Sequence, residues 1–224
     1  MNRSPFKWTT SWPGILLTDD KLLLPNTWEF SLEYDVISDE MTHRDIAMQR
    51  LEFMVDEKFY GATWMNFTNP LVGIFHENLN NFTITVPSDP HDSIIAAAAI
   101  LKAQSITKDV FEIHRCSIKG KLGYSLENTI EIDEAEEMGQ VFDHEYFADG
   151  PWFMREDAGF TDLLSKKDDT VTLIKDSVPW SKFDLNWDYY DQEQPQSASL
   201  ININKHERWI PMVIKGGANN NDDS

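Results

Sequence analysis

Residues able to do chemistry are densest in one acidic stretch of the chain. Asp143, His144, Glu145 and Asp149, with Glu134, Glu136 and Glu137 just before them, could present several carboxylates and an imidazole to a hard divalent ion. A nuclease or phosphohydrolase would use such a group. The spacing matches no specific ligand set, so a solvated acidic loop and helix face is the competing reading. A second pair, His114 and Cys116, stands two residues apart on an expected strand, where alternation would place thiol and imidazole on one side. A buried small thiol and a hydrogen-bonded histidine are the commoner outcome of that pattern.

Other chemistry finds little support. The sequence holds no phosphate-cradling glycine loop and no nucleophile elbow, and no cofactor motif is present. One cysteine and six scattered histidines offer no zinc set, and His144–Glu145 lacks a second histidine four residues on. His43, Arg44 and Asp45 spell the start of a kinase catalytic loop, but they fall inside an amphipathic helix and Arg50 stands where asparagine is needed. His91 and Asp92 fall in the first turn of another helix, where an acid acts as a cap.

A binding surface is the alternative to catalysis. Trp152, Trp187, Tyr189, Tyr190 and Asp191 lie in the same half of the chain as the acids, and exposed tryptophan and tyrosine supply interface hot spots. Facing inward, the same rings would pin irregular chain to the core.

The elements that must position these residues are legible as periodicities. Trp28, Phe30, Leu32, Tyr34 and Val36 alternate with polar residues, as a strand with one wet face requires. A helix capped around Ser38, Asp39 and Glu40 follows, with Ala47, Leu51, Met54, Val55, Lys58 and Phe59 on one stripe and Gly61 as its stop. Residues 64–67 and 71–75 read as short extended pieces and residues 82–86 as a strand. An alanine-rich helix then runs to about Ser105, its buried stripe including Ile94, Ile95, Ala98, Leu101 and Lys102. Residues 110–118 and 124–132 read as a hairpin.

The order of these elements is that of a ferredoxin-like βαββαβ core over residues 27–132. It predicts an α+β protein: an antiparallel or mixed sheet with two helices packed on one face. Residues 1–26 read as an N-terminal extension packed on that core. Residues 133–215 read as an acidic, aromatic-rich extension of the same domain, with a helix at 134–142 and strands at 170–175, 199–204 and 209–214. Residues 216–224 read as a disordered tail.

The chain has 224 residues with 38 acids against 19 lysines and arginines, a formal charge of -19. That field opposes binding to phosphate backbones or anionic lipid and favours a basic protein as partner. The single cysteine and the lack of a leader-like start point to a reducing, cytoplasmic setting, which leaves the N-glycosylation tripeptides without meaning. The longest apolar run, residues 94–101, is too short to span a bilayer. The resulting expectation is a non-enzymatic acidic protein-binding or inhibitory factor, in its special form a mimic of nucleic acid. Its composition has the look of a phage-encoded accessory protein. The alternatives are a structural subunit of a larger assembly, such as a virion or homo-oligomer, and a divalent-metal hydrolase.

Overall fold

The computed structural model describes residues 5–79, 83–122, 126–141, 150–167, 170–175 and 177–187. The protein is α+β, built on a mixed six-stranded sheet. Its strands are β1 (Phe6–Leu17), β2 (Leu23–Val36), β3 (Thr63–Asn66), β4 (Thr83–Val86), β5 (Phe111–Gly120) and β6 (Glu127–Glu131). Their spatial order is β4-β3-β1-β2-β5-β6. The helices are α1 (Met41–Phe53), which continues into a π-helical turn over Met54–Phe59, α2 (Val72–Leu79), α3 (Asp92–Ile106) and α4 (Ile132–Val141). A two-stranded ribbon, β7 (Asp162–Lys167) with β8 (Thr170–Lys175), and two 3-10 turns, Trp152–Met154 and Trp180–Phe183, complete the described elements.

The alternation in β2 sets the sheet. Trp28, Phe30, Leu32 and Tyr34 are buried on the helix-covered side, while Glu29, Ser31 and Glu33 face outward. The helix α3 is buried nearly all round, eleven of its fifteen residues lying in the core. It packs on the sheet with one side and on α4 and the segment after Gly150 with the other. Alanine at positions 96–99 and 103 keeps those approaches short.

The topology departs from the ferredoxin-like pattern in two ways. First, Phe6–Leu17, expected as part of an N-terminal extension, is a sheet strand: β1 pairs along its whole length with β2 and holds a central place in the sheet. The glycine at position 14 is required there, because a Cβ would lie 2.7 Å from the Trp28 ring and 2.9 Å from the Ala62 carbonyl oxygen. Second, residues 72–79 are helical where extended chain was expected at 71–75. The α2 crossover therefore makes β3 and β4 parallel neighbours. Both strands are buried on both faces. Leu17, Met65, Val72 and Leu163 form a small second core on the face away from α3.

Candidate functional site

Helix α4 carries the described part of the acidic stretch. Ala135 and Gly139 are buried and Ile132 and Met138 half-buried, which turns Asp133, Glu134, Glu136 and Glu137 out to solvent. Gly139 lets the helix sit close to α3, since a Cβ would come within 3.2 Å of Leu101. Residues 122–154 contain no lysine or arginine. Among the described residues, none of the four outward carboxylates has a cationic partner. Glu134 accepts a hydrogen bond from the Glu131 backbone N–H at 3.3 Å, tying the helix start to β6. The remaining acidic candidates, Asp143, His144, Glu145 and Asp149, lie outside the described residues, as do Tyr189, Tyr190 and Asp191. Among the described residues no group of three or more metal-ligating side chains converges.

The described tryptophans of the C-terminal half turn inward, which corrects the expectation of an exposed surface at Trp152. Its side chain is 1% exposed and its Nε1 donates to the Thr85 carbonyl oxygen at 2.7 Å, with Phe59, Phe153 and Phe160 around the ring. Trp187 is half-buried, its ring 3.3 Å beneath the Arg50 guanidinium. The Trp180 ring also lies against Arg50, at 4.7 Å. These rings hold the irregular chain down.

Buried cations do the same work, and the sequence reading missed their role. Lys102 Nζ is fully buried and donates to three backbone carbonyls, of Trp152, Arg155 and Asp157, at 3.1, 2.8 and 2.7 Å. Burial pushes its pKa down to about 7, opposed chiefly by the Asp157 carboxylate 3.9 Å away. Arg155 pairs with buried Asp162 at 2.8 Å, and Asp162 in turn accepts from the Trp152 N–H and donates its own N–H to Thr85. Arg50 donates to the carbonyls of Leu185 and Ile106. Two voids against Trp152 and Phe153 measure about 10 Å³ each, too small to admit a substrate. The one sequence signal of this network was a lysine on the buried stripe of an alanine-rich helix.

The chain matches no protein-family model and no curated protein. Its functional reading therefore rests on geometry and charge.

The thiol–imidazole pair is separated by a register shift. A bulge between Glu33 and Tyr34 leaves His114 as an extra residue of β5. Cys116 points into the core, where burial pushes it up to about 12, while His114 turns out to Asp35 at 3.1 Å. Asp92 is not a helix cap by its side chain. It accepts from Trp28 Nε1 and the Gly120 N–H, bolting α3 to two strands.

The middle of the open sheet face is balanced in charge, whereas at its end Asp35 stands opposite Glu112. Strand register places Lys7, Glu33, Arg115 and Glu131 in one row, Thr9, Ser31, Ser117 and Thr129 in the next, and Ser11, Glu29, Lys119 and Glu127 in a third. Signs alternate across strands in both charged rows, and the hydrogen bond from Arg115 holds Glu33 below the usual carboxylate range. The shallow concavity of about 540 Å³ on this face thus carries little of the chain's acid surplus.

Proposed function

We propose that the protein is a non-enzymatic, acidic binding factor that engages a basic surface on another protein, with the outer face of α4 as its contact. The supporting observation is that Asp133, Glu134, Glu136 and Glu137 are exposed together and uncompensated by described cations. Like charges three and four apart on a helix repel, so a cation from outside relieves a cost already present in the isolated chain. Encounter with a basic partner is accelerated by the same field. An inhibitor that presents carboxylates in place of phosphates is the special case.

The experiment is capture of partners from a native-host lysate by the full chain and by Glu134→Lys/Glu136→Lys/Glu137→Lys, at about 50 and about 500 mM salt. The wild type retains a basic protein at the lower salt and loses it at the higher, and the variant, folded by circular dichroism, binds it about tenfold or more weakly. Retention indifferent to both salt and charge reversal overturns the reading.

A further inference from the structure

The core-facing side of the sheet runs on past the start of α3, and nothing among the described residues covers it there. A groove of about 500 Å³ results. Leu16 and Leu24 lie in it, Pro90 and Asp92 bound it at the helix start, and Leu122 and Leu126 bound it at the β5–β6 turn. Leu24, Leu122 and Leu126 are 38%, 46% and 69% exposed, an apolar concentration that a soluble surface does not need. Asp19 and Asp89, joined by a 2.9 Å hydrogen bond from the Asp19 N–H, stand beside it with exposed Asp20. None of these aspartates, nor Asp92, has a cationic partner among the described residues. Lys21 is the single cation in that turn, and the nearby Lys121 is drawn to Glu29 at 3.7 Å.

We infer that this groove docks an amphipathic helix of a partner protein, leucine-like side chains inward and lysine or arginine at its flanks. The inference rests on the basic-partner reading and adds the place where apolar affinity is gained. A helix laid beyond α3 would extend the existing helix layer over the bare end of the sheet. Its cations would meet the aspartate rim. A second copy of the chain is disfavoured because it would bring like-charged rims together.

The probe is a fluorescein-labelled synthetic peptide of about 18 residues with leucine and lysine in helical periodicity. A scrambled peptide of equal composition, without an apolar face, is the control. Anisotropy titration of the full chain is expected to show the periodic peptide binding about tenfold or more tightly than the scrambled one. Leu24→Ser/Leu126→Ser, which alters exposed side chains, loses that advantage, while Glu134→Lys/Glu136→Lys/Glu137→Lys retains the preference for the periodic peptide. Unchanged binding by the leucine variant overturns the groove. If the α4 variant alone weakens binding, the groove falls and the basic-partner reading stands. Light scattering that shows an oligomer dissociated by the leucine substitutions assigns the groove to a second copy and overturns the proposal as well.

Discussion

Lys102 sits 0% exposed at the centre of a helix, yet each of its three ammonium hydrogens has a carbonyl acceptor. Truncation would remove the packed stem and strand three acceptors together, so Lys102→Ala is expected to cost about 3–5 kcal/mol. The pH dependence follows from the direction of its pKa. The folded value is about 7 and the ordinary lysine value 10.5, so between those limits the unfolded chain holds a proton that the folded chain has released. The contribution of this group therefore rises with pH across that window and is least below pH 7, where both states are protonated and the burial cost is felt in full. Urea denaturation at pH 7 and 9 should differ by on the order of 2 kcal/mol in favour of pH 9, and by much less in Lys102→Met. Cys116, pushed up to about 12 by burial, works the opposite way above pH 9.

At the scale of elements, β1 shows how a central strand can be hidden. Its core-facing positions are Trp8, Thr10, Trp12, Gly14 and Leu16, so threonine and glycine interrupt an apolar alternation that is otherwise regular. Pro13, which has no N–H to donate, is tolerated because pairing with β3 begins only at Ile15. Gly14→Ala would drive a methyl group into the Trp28 ring and the Ala62 carbonyl, and is expected to cost about 1–3 kcal/mol in thermal or urea unfolding. A loss below a few tenths would show that β1 can shift off β2 without penalty. The bulge in β5 has the same lesson in reverse, since a single extra residue sends His114 and Cys116 to opposite sides of a strand that simple alternation would keep aligned.

For the whole molecule the notable fact is where charge is buried. Among the described residues, Arg50, Lys58, Lys102 and Arg155 are buried cations, against one buried acid, Asp162. Among the described residues cations are thus consumed in fastening residues 152–160 and 180–187 to the core, which leaves the described exterior the more acidic. Self-repulsion of that exterior opposes the compact state. Raising sodium chloride from about 10 to about 200 mM should increase the melting temperature by a few degrees, measured by circular dichroism, because screening acts on the exposed acids more than on the buried pairs. A melting temperature that falls with salt would mean that surface ion pairs such as Arg115–Glu33 outweigh the repulsion.

Local pattern alone determined a good part of this protein. Period-two alternation in residues 28–36, the helical stripes of α1 and α3, the β5–β6 hairpin, the helix near 134 and the strand at Thr170–Lys175 are all properties of neighbouring residues. So are the α+β class and the outward acids of α4. The strands expected at 199–204 and 209–214 and the tail expected at 216–224 lie outside the described residues. Tertiary structure decided the rest: β1 in mid-sheet, β3 parallel to β4, β7 beside β8, and Trp152 facing Thr85. Those outcomes depend on contacts between residues far apart in sequence. A ring or an ammonium group reads the same in sequence whether it faces water or three carbonyls, and only the packed chain supplies the partners that make burial favourable.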